Sequence, residues 1–510
     1  MDNISSSSKK LWEDPLFCSL FLLLLPLVLW FIRNKSKSQL NLPPSPPRLP
    51  IVGNLHQLGS FPSHSLRALS NKYGPLMLLH LGQLTTLVVS SADMVREIAK
   101  NHDIVFSNRP KATASDILFY GGKDVIFAPY DDCWRQLRKI CVLELLTVKR
   151  VQSFQSVREE EVAKLVDSLR KAACQGLSVN LSRMLISTSN NIVSRCILGQ
   201  NYNTEEDGLT TMGDIGRAIV QEIFAFSMGD LFPSLKWIDV LRGFISRLKR
   251  TSELSDTLCA RVIEEHRKIK ANGGDDTKDF VDVLLQLQRD NMHDFELTHV
   301  HLKALVQDML IAGIETSATT LEWLMAELVR NPSVLKKTQE EVRRVVGKKT
   351  KVDVNDISSM TYLKCVIKES LRIHPTVPLL VPRETTTSVQ IGGYHIPAKT
   401  RVVINAFAIQ RDPSVWEKPE EFLPERFESN PLDFKGQHYQ FIPFGFGRRQ
   451  CPGLTFGIAT IEYLVSNLLY WFDWKLPDDA LPEDMDMTEV FGISVAKKSP
   501  LHVVPMPYSL

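Results

Sequence analysis

The decapeptide Phe444-Gly445-Phe446-Gly447-Arg448-Arg449-Gln450-Cys451-Pro452-Gly453 constrains this chain more than any other stretch. One cysteine sits in a glycine-rich loop, two residues after Arg449 and just before an apolar run, Leu454 to Phe472, that reads as a helix. A cysteine at the mouth of a helix meets unpaired backbone N–H groups and the positive end of the helix dipole. Both favour the thiolate, the form that binds metals. Gly447 and Gly453 are expected to let the backbone turn sharply and approach a flat cofactor, and Arg449 to meet a carboxylate on it. Taken alone, Cys451 reads as a small buried core residue. The case for a ligand therefore rests on the remainder of the chain.

Of the 510 residues 44% are hydrophobic and 23% charged, which fits a globular chain and argues against disorder. A net charge of +2 gives no reason to propose a nucleic-acid partner. Leu16 to Ile32 is uncharged, apolar and of roughly membrane-spanning length, and it ends in Trp30-Phe31-Ile32-Arg33 rather than in the small residues of a cleavage site. It reads as a retained transmembrane anchor. Arg33, Lys35 and Lys37 follow it, so the positive-inside rule puts the bulk of the chain in the cytosol. The expected division is a short lumenal segment (1–15, with a glycosylation sequon at Asn3), the anchor (16–32), a basic, proline-rich hinge (33–50) and one large globular domain (51–510). The eight cysteines show no Cys-x-x-Cys pair, which suits a reducing compartment and excludes a zinc module.

Leu76 to Ser90 reads as two strands about a turn at Gly82, and Ala92 to Asn101 as a helix. Arg109 to Pro129 has no steady period and reads as a long irregular loop, of the kind that is usually functional. Trp134 and Arg138 share a helix face at i, i+4. Thr298 to Arg330 is one long helical pattern closed by Asn331-Pro332. Within it lies Ala312-Gly313-Ile314-Glu315-Thr316, where the glycine costs the helix about 1 kcal/mol relative to alanine. Glu369 and Arg372 pair at i, i+3 near the end of another helix, which stops before His374-Pro375. Thr376 to Arg383 is expected to be extended because of its prolines, and Gly392-Gly393 turns a hairpin.

Phe444-x-x-Gly447-x-Arg449-x-Cys451-x-Gly453 resembles the haem-binding signature of the cytochromes P450, with every fixed position filled. Trp134-x-x-x-Arg138, Ala312 to Thr316, and Glu369-x-x-Arg372 with Pro424-Glu425-Arg426-Phe427 resemble further motifs of that family, in family order. The resemblance runs from the hinge to about Pro505 and looks most like the plant microsomal group, clan 71, of specialised metabolism. It implies a mostly helical domain with small β-sheets, the cytochrome P450 fold, carrying haem b with Cys451 as the axial iron ligand. It further implies that Trp134, Arg138 and Arg383 reach the propionates, with Phe444, Arg449 and Gly453 in the cradle. Thr316 and Glu315 would supply protons for oxygen chemistry. Ile117, Phe119, Ala312, Gly313, Val377, Leu379, Phe491 and Ile493 would line the substrate pocket, and Glu369, Arg372 and Arg426 would form a structural ionic cluster.

The chain has no Gly-x-Gly-x-x-Gly fingerprint, so the electrons would come from NADPH through a separate P450 reductase. The implied partners are that reductase, O2, an apolar small molecule and the lipid of the endoplasmic reticulum membrane, in a single-pass arrangement. The implied reaction is monooxygenation of an apolar plant metabolite, a terpenoid or a coumarin or other phenolic. Two alternatives keep the fold: an NADPH-independent haem-thiolate enzyme that rearranges or dehydrates its substrate, and a haem-binding protein without catalysis. Thr316 and the undisturbed cysteine loop argue against the first, and the Glu315-Thr316 pair against the second.

Overall fold

A single helix, His299–Arg330, organises the computed structural model. Thr298 caps it: its hydroxyl accepts the His301 backbone N–H, and the His301 ring accepts the Thr298 N–H in return. Every residue from Ser317 to Val329 is buried, as befits a helix that runs through a core rather than over it. Asn331 ends it, and Pro332 opens the next helix, Pro332–Val346, at a position where a missing N–H costs nothing. The structure describes residues 40–508 apart from 201–211, 224, 272–277, 291–294, 431, 491 and 493. The expected anchor at 16–32 and the sequon at Asn3 lie outside the described residues. Among the described residues no helix is long and apolar enough to cross a membrane.

Leu181–Leu198 and Leu454–Trp471 flank the central helix and share the largest apolar cluster with it. Gly313 belongs to this packing. A Cβ there would stand 3.2 Å from both methyls of Val193, so the glycine lets the two helices close on each other.

A four-stranded sheet lies beside the helices. Leu76–Leu81 and Leu84–Val89 pair antiparallel, Arg401–Ile404 joins the second in parallel, and Arg383–Glu384 closes the edge antiparallel to that. A three-stranded sheet joins Val179–Asn180, His502–Pro507 and Phe472–Lys475, and two hairpins complete the strands, one about Gly392-Gly393. The expected helices Ala92–Asn101 and Thr361–Ile373 are present.

Two expectations need correction. The stretch from Arg109 to Pro129 is interrupted by a helix, Thr113–Leu118, whose length is too short to show a period in the sequence. Thr376 to Arg383 is not extended throughout. The Leu380 N–H donates to the Val377 carbonyl at 3.0 Å, making a turn with Pro378 in the position its ring favours, and Leu380 takes a positive φ of 51°.

Candidate active site

Cys451 lies three residues before the helix Leu454–Trp471, and its own N–H donates to the Phe444 carbonyl at 2.9 Å, which closes the loop. Its side chain is exposed into an internal cavity of about 280 Å³ that is also lined by Phe444, Gly453 and the Ala312–Thr316 turn of the central helix. Burial away from bulk water pushes the thiol upward. The backbone N–H groups of Gly453 and Leu454 and the Arg138 guanidinium pull the other way. The helix-mouth donors expected from the sequence are thus present, and burial outweighs them.

Gly447 and Gly453 serve the loop for different reasons. Gly447 has φ +64°, and a Cβ there would come within 2.3 Å of Asp103 Oδ1. Gly453 has an ordinary φ of −85° and caps the following helix, so it serves no sharp turn. A Cβ on it would instead lie 3.8 Å from the Cys451 sulfur.

Four arginines border the cavity. Arg138 donates to the Gln450 carbonyl, and Arg383 Nη2 to the Phe446 carbonyl at 2.7 Å. Arg449 donates through Nε to Ser107 O at 2.8 Å and through Nη2 to Ala128 O at 2.6 Å. Arg109 Nη1 donates to the carbonyls of Val381 and Pro382 at 2.6 and 2.8 Å. Carbonyls satisfy the N–H groups but not the charge. Burial, then the Arg383 charge, push Arg449 down to about 9, with Asp124 opposing and Arg138 adding to it. Burial takes Arg383 down to about 10 against the pull of Asp103, and burial and the Arg449 and Arg383 charges lower Arg109 as well. Guanidinium groups keep their proton in proteins, so this tension is a positive potential that a bound anion relieves. Arg383 Nη1 is buried and has no hydrogen-bond partner.

Residues 43–504 match the family described as Cytochrome P450. The chain is a cytochrome P450. The phenylacetaldehyde oxime monooxygenase of Prunus mume is 52% identical over 509 residues, which cover 99% of this chain and 96% of its own. Costunolide synthase of Cichorium intybus is 44% identical over 471 residues, 92% of this chain and 94% of that one. A zebrafish cytochrome P450 solved with progesterone superposes with a TM-score of 0.74 at 28% identity, covering 88% of this chain and 99% of that one. The P450 groups with the plant clan 71 members of the family and is a haem-dependent monooxygenase.

The site fits haem. A thiol facing the cavity supplies the axial donor, and the arginine rim with the orphaned Arg383 Nη1 suits the carboxylates of the propionates. Trp134 does not take the part expected of it. Its single ring N–H is occupied by the Val125 carbonyl at 3.0 Å, and the Arg449 guanidinium lies 3.9 Å over its ring. Trp134 thus holds Arg449 in place rather than facing the cavity.

Opposite the P450's thiol, Thr316 Oγ1 donates to the Ala312 carbonyl at 2.6 Å, and the Glu315 carboxyl is raised by burial, with Arg217 opposing. Among the pocket candidates, Phe119, Ala312, Gly313 and Val377 line the cavity. Ile117 does not; it packs on the main core, and its carbonyl accepts the Ser252 hydroxyl at 3.0 Å. Leu379 is turned by the Pro378 bend onto the cluster of Leu66, Met77 and Val88, and Leu380 takes its place in the wall. Phe491 and Ile493 lie outside the described residues; their neighbour Ser494 lines the cavity.

Sequence reasoning missed Arg109, Leu380 and Asp308, as well as Val193, Ile197 and Ile219 from flanking helices. The Pro378 turn could have pointed to Leu380. The others carry no local signal.

Glu369, Arg372 and Arg426 come together behind the cavity. Arg372 makes two bonds to Glu369, at 2.7 and 2.9 Å, and Arg426 Nε reaches Glu369 Oε1 at 3.0 Å.

Proposed function

We propose that this P450 inserts one atom of O2 into an apolar plant specialised metabolite, a terpenoid or a coumarin or other phenolic, using electrons from NADPH delivered by a separate P450 reductase. The reading places the protein at the endoplasmic reticulum membrane, held by the 16–32 segment with its catalytic domain in the cytosol.

The observation that carries it is the cavity itself. Between Cys451 and the Ala312–Thr316 turn it is walled mostly by apolar side chains such as Phe119, Val193, Ile219 and Val377, with few polar groups. A site of this kind selects shape and apolar surface and fixes orientation with a small number of polar contacts. The relatives are named for different products and substrates, which suits one scaffold with a changeable wall.

Haem, when bound, would supply the oxygen activation, and Cys451 is the residue that would hold its iron. The chain's own residues supply placement and protons. Arg138, Arg383 and Arg449, which line the cavity, would hold the cofactor's carboxylates. Ala312 leaves room at the cavity wall, because its side chain is only a methyl. Burial keeps the Glu315 carboxyl protonated to higher pH than a solvated one, so it is a proton store beside the cavity. Thr316 lies next to it, and its hydroxyl can accept a proton on one side as it donates on the other. These two residues disfavour the NADPH-independent alternative, which has no use for delivered protons.

The experiment is product detection by mass spectrometry from membranes that contain this P450 and a plant reductase. They would be supplied with pooled terpenoids, coumarins and other phenolics, with and without NADPH. An NADPH-dependent product one oxygen heavier supports the reading and names the substrate class, and turnover that ignores NADPH overturns it.

A further inference from the structure

Asp124 and Asp308 are two carboxyl groups that the haem site does not use, and both are wholly withdrawn from solvent at the roof of the cavity. Asp308 projects from the central helix, and Asp124 belongs to the segment 119–127 that roofs the cavity with Phe119, Ile126 and Phe127. One oxygen of each is satisfied. The Val125 N–H donates to Asp308 Oδ2 at 2.7 Å, and the Phe127 N–H to Asp124 Oδ2 at 2.6 Å. The other oxygen of each, Oδ1, is buried without a hydrogen-bond partner.

Asp308 accepts the N–H of the residue that follows Asp124, so the two buried carboxyls are neighbours; two orphaned acceptors there demand a donor, and two negative charges so placed are unfavourable. A single proton between them answers both demands. We propose that Asp124 and Asp308 share one proton through their Oδ1 atoms, and that this bond is the positioning device that holds the 119–127 roof on the central helix.

The charges around the pair agree with this. Burial and the neighbouring Asp124 charge raise Asp308 well above the carboxylate range. Burial pushes Asp124 up to about 6, against the pull of the Phe127 N–H and the Arg449 charge. Arg109 faces Asp124 as well, with its Nε and Nη1 donating to the carbonyls of Ile126, Val381 and Pro382. Tyr120 and Cys141 face Asp308 and are both pushed upward, Cys141 to about 12, so neither brings a charge at neutral pH.

The roof held this way reaches beyond the pocket wall. The Val125 peptide gives its N–H to Asp308, and its carbonyl accepts the Trp134 ring N–H at 3.0 Å and Arg449 Nη1 at 3.4 Å. The backbone of one residue, Val125, therefore ties the central helix, the pocket roof and the arginine of the cysteine loop together. The proposal deepens the reading of this cavity as the oxidation site, but its test needs no substrate and so can fail independently of that reading.

The sign of the pH effect follows. The closed pair keeps a proton that two solvated carboxyls release above the ordinary carboxylate range. Rising pH therefore disfavours the closed roof from that range up to the pair's own ionisation, and the effect levels off beyond it.

The test uses the haem-loaded full chain and two readouts. Infrared difference spectra, parent minus variant, are expected to show one neutral carboxylic acid carbonyl band, shifted in heavy water and persisting above the ordinary carboxylate range, that is lost in both Asp308→Asn and Asp124→Asn and is distinct from the Glu315 band that Glu315→Gln removes. Hydrogen exchange of the 119–127 amides, corrected for intrinsic chemistry, is expected to accelerate with pH in that window, with a limit of about tenfold per pH unit for one proton.

Asp308→Asn supplies a fixed donor in place of the proton, so its roof stays closed and its exchange no longer depends on pH in this way. Asp308→Ala leaves the Val125 N–H unpaired and exchanges fast at every pH. The proposal is overturned if the neutral-acid band survives either asparagine substitution, or if Asp308→Asn loosens the roof as much as Asp308→Ala.

Discussion

Arg372 grips Glu369 with two parallel bonds, Nε to Oε2 at 2.7 Å and Nη2 to Oε1 at 2.9 Å, and neither side chain reaches solvent. Glu369 also accepts Arg426 Nε at 3.0 Å and the Leu423 N–H at 2.8 Å, while Arg372 Nη1 donates to the carbonyls of Gln410 and Pro419 at 2.9 and 2.8 Å. The pair thus joins the helix Thr361–Ile373 to the segment 410–427, which ends in the short 3-10 helix Pro424–Phe427 and leads on to the cysteine loop.

Removing one partner of such a pair leaves the other charge buried without compensation. Glu369→Gln is expected to cost about 3–5 kcal/mol and to lower the yield of haem-loaded protein. Arg372→Lys fails similarly, because an ammonium cannot reproduce the fork. Thermal unfolding and haem content per polypeptide check this, and a stable, fully loaded Glu369→Gln protein would contradict it.

Gly447→Ala is expected to destabilise the cysteine loop by about 1–3 kcal/mol from backbone conformation alone. Contact with Asp103 adds to that. The double variant with Asp103→Ala should recover only the contact part, as read by thermal unfolding and haem retention. Full recovery would mean that the positive φ carries no cost.

Leu379 and Leu380 are adjacent and are expected to behave differently. Leu380→Ala enlarges the cavity and should change the product distribution, since Leu380 is part of the wall. Leu379→Ala removes packing from the sheet-side cluster and should cost at most about 2 kcal/mol, because Leu379 is only partly buried, with products unchanged. Product ratios and unfolding midpoints separate the two.

Thr316→Ala and Glu315→Gln are expected to lower product formation by about 10²-fold or more while NADPH is still consumed, with hydrogen peroxide released instead. Glu315 is raised by burial, so its proton-donating form is fully present at low pH and is lost as pH rises through that raised value. Product formed per NADPH should fall along this limb in the parent protein and lose the limb in Glu315→Gln.

Much of this architecture is legible in local patterns. Spacing gives the central helix and the Glu369–Arg372 pair, because each rests on residues close together in the chain, while Cys451 stands out through the resemblance of its loop. Residues whose role depends on a distant partner are not legible in this way. Trp134 shows a helix face with Arg138, but only the fold reveals that the Val125 carbonyl takes its ring N–H. Gly453 sits in a loop that suggests a turn, yet its φ is ordinary. Asp308 carries no local signal, and only the fold brings the Val125 N–H to it. Leu379 and Leu380 exchange roles because a turn of four residues rotates the chain by one position.

The most direct test of the central claim is turnover under isotopically labelled dioxygen, with reductase and NADPH, comparing the parent P450 with Cys451→Ser. The account predicts a product that carries one labelled oxygen atom, dependent on NADPH and absent from the serine variant. Product formed without NADPH, without the label, or undiminished in Cys451→Ser would contradict it.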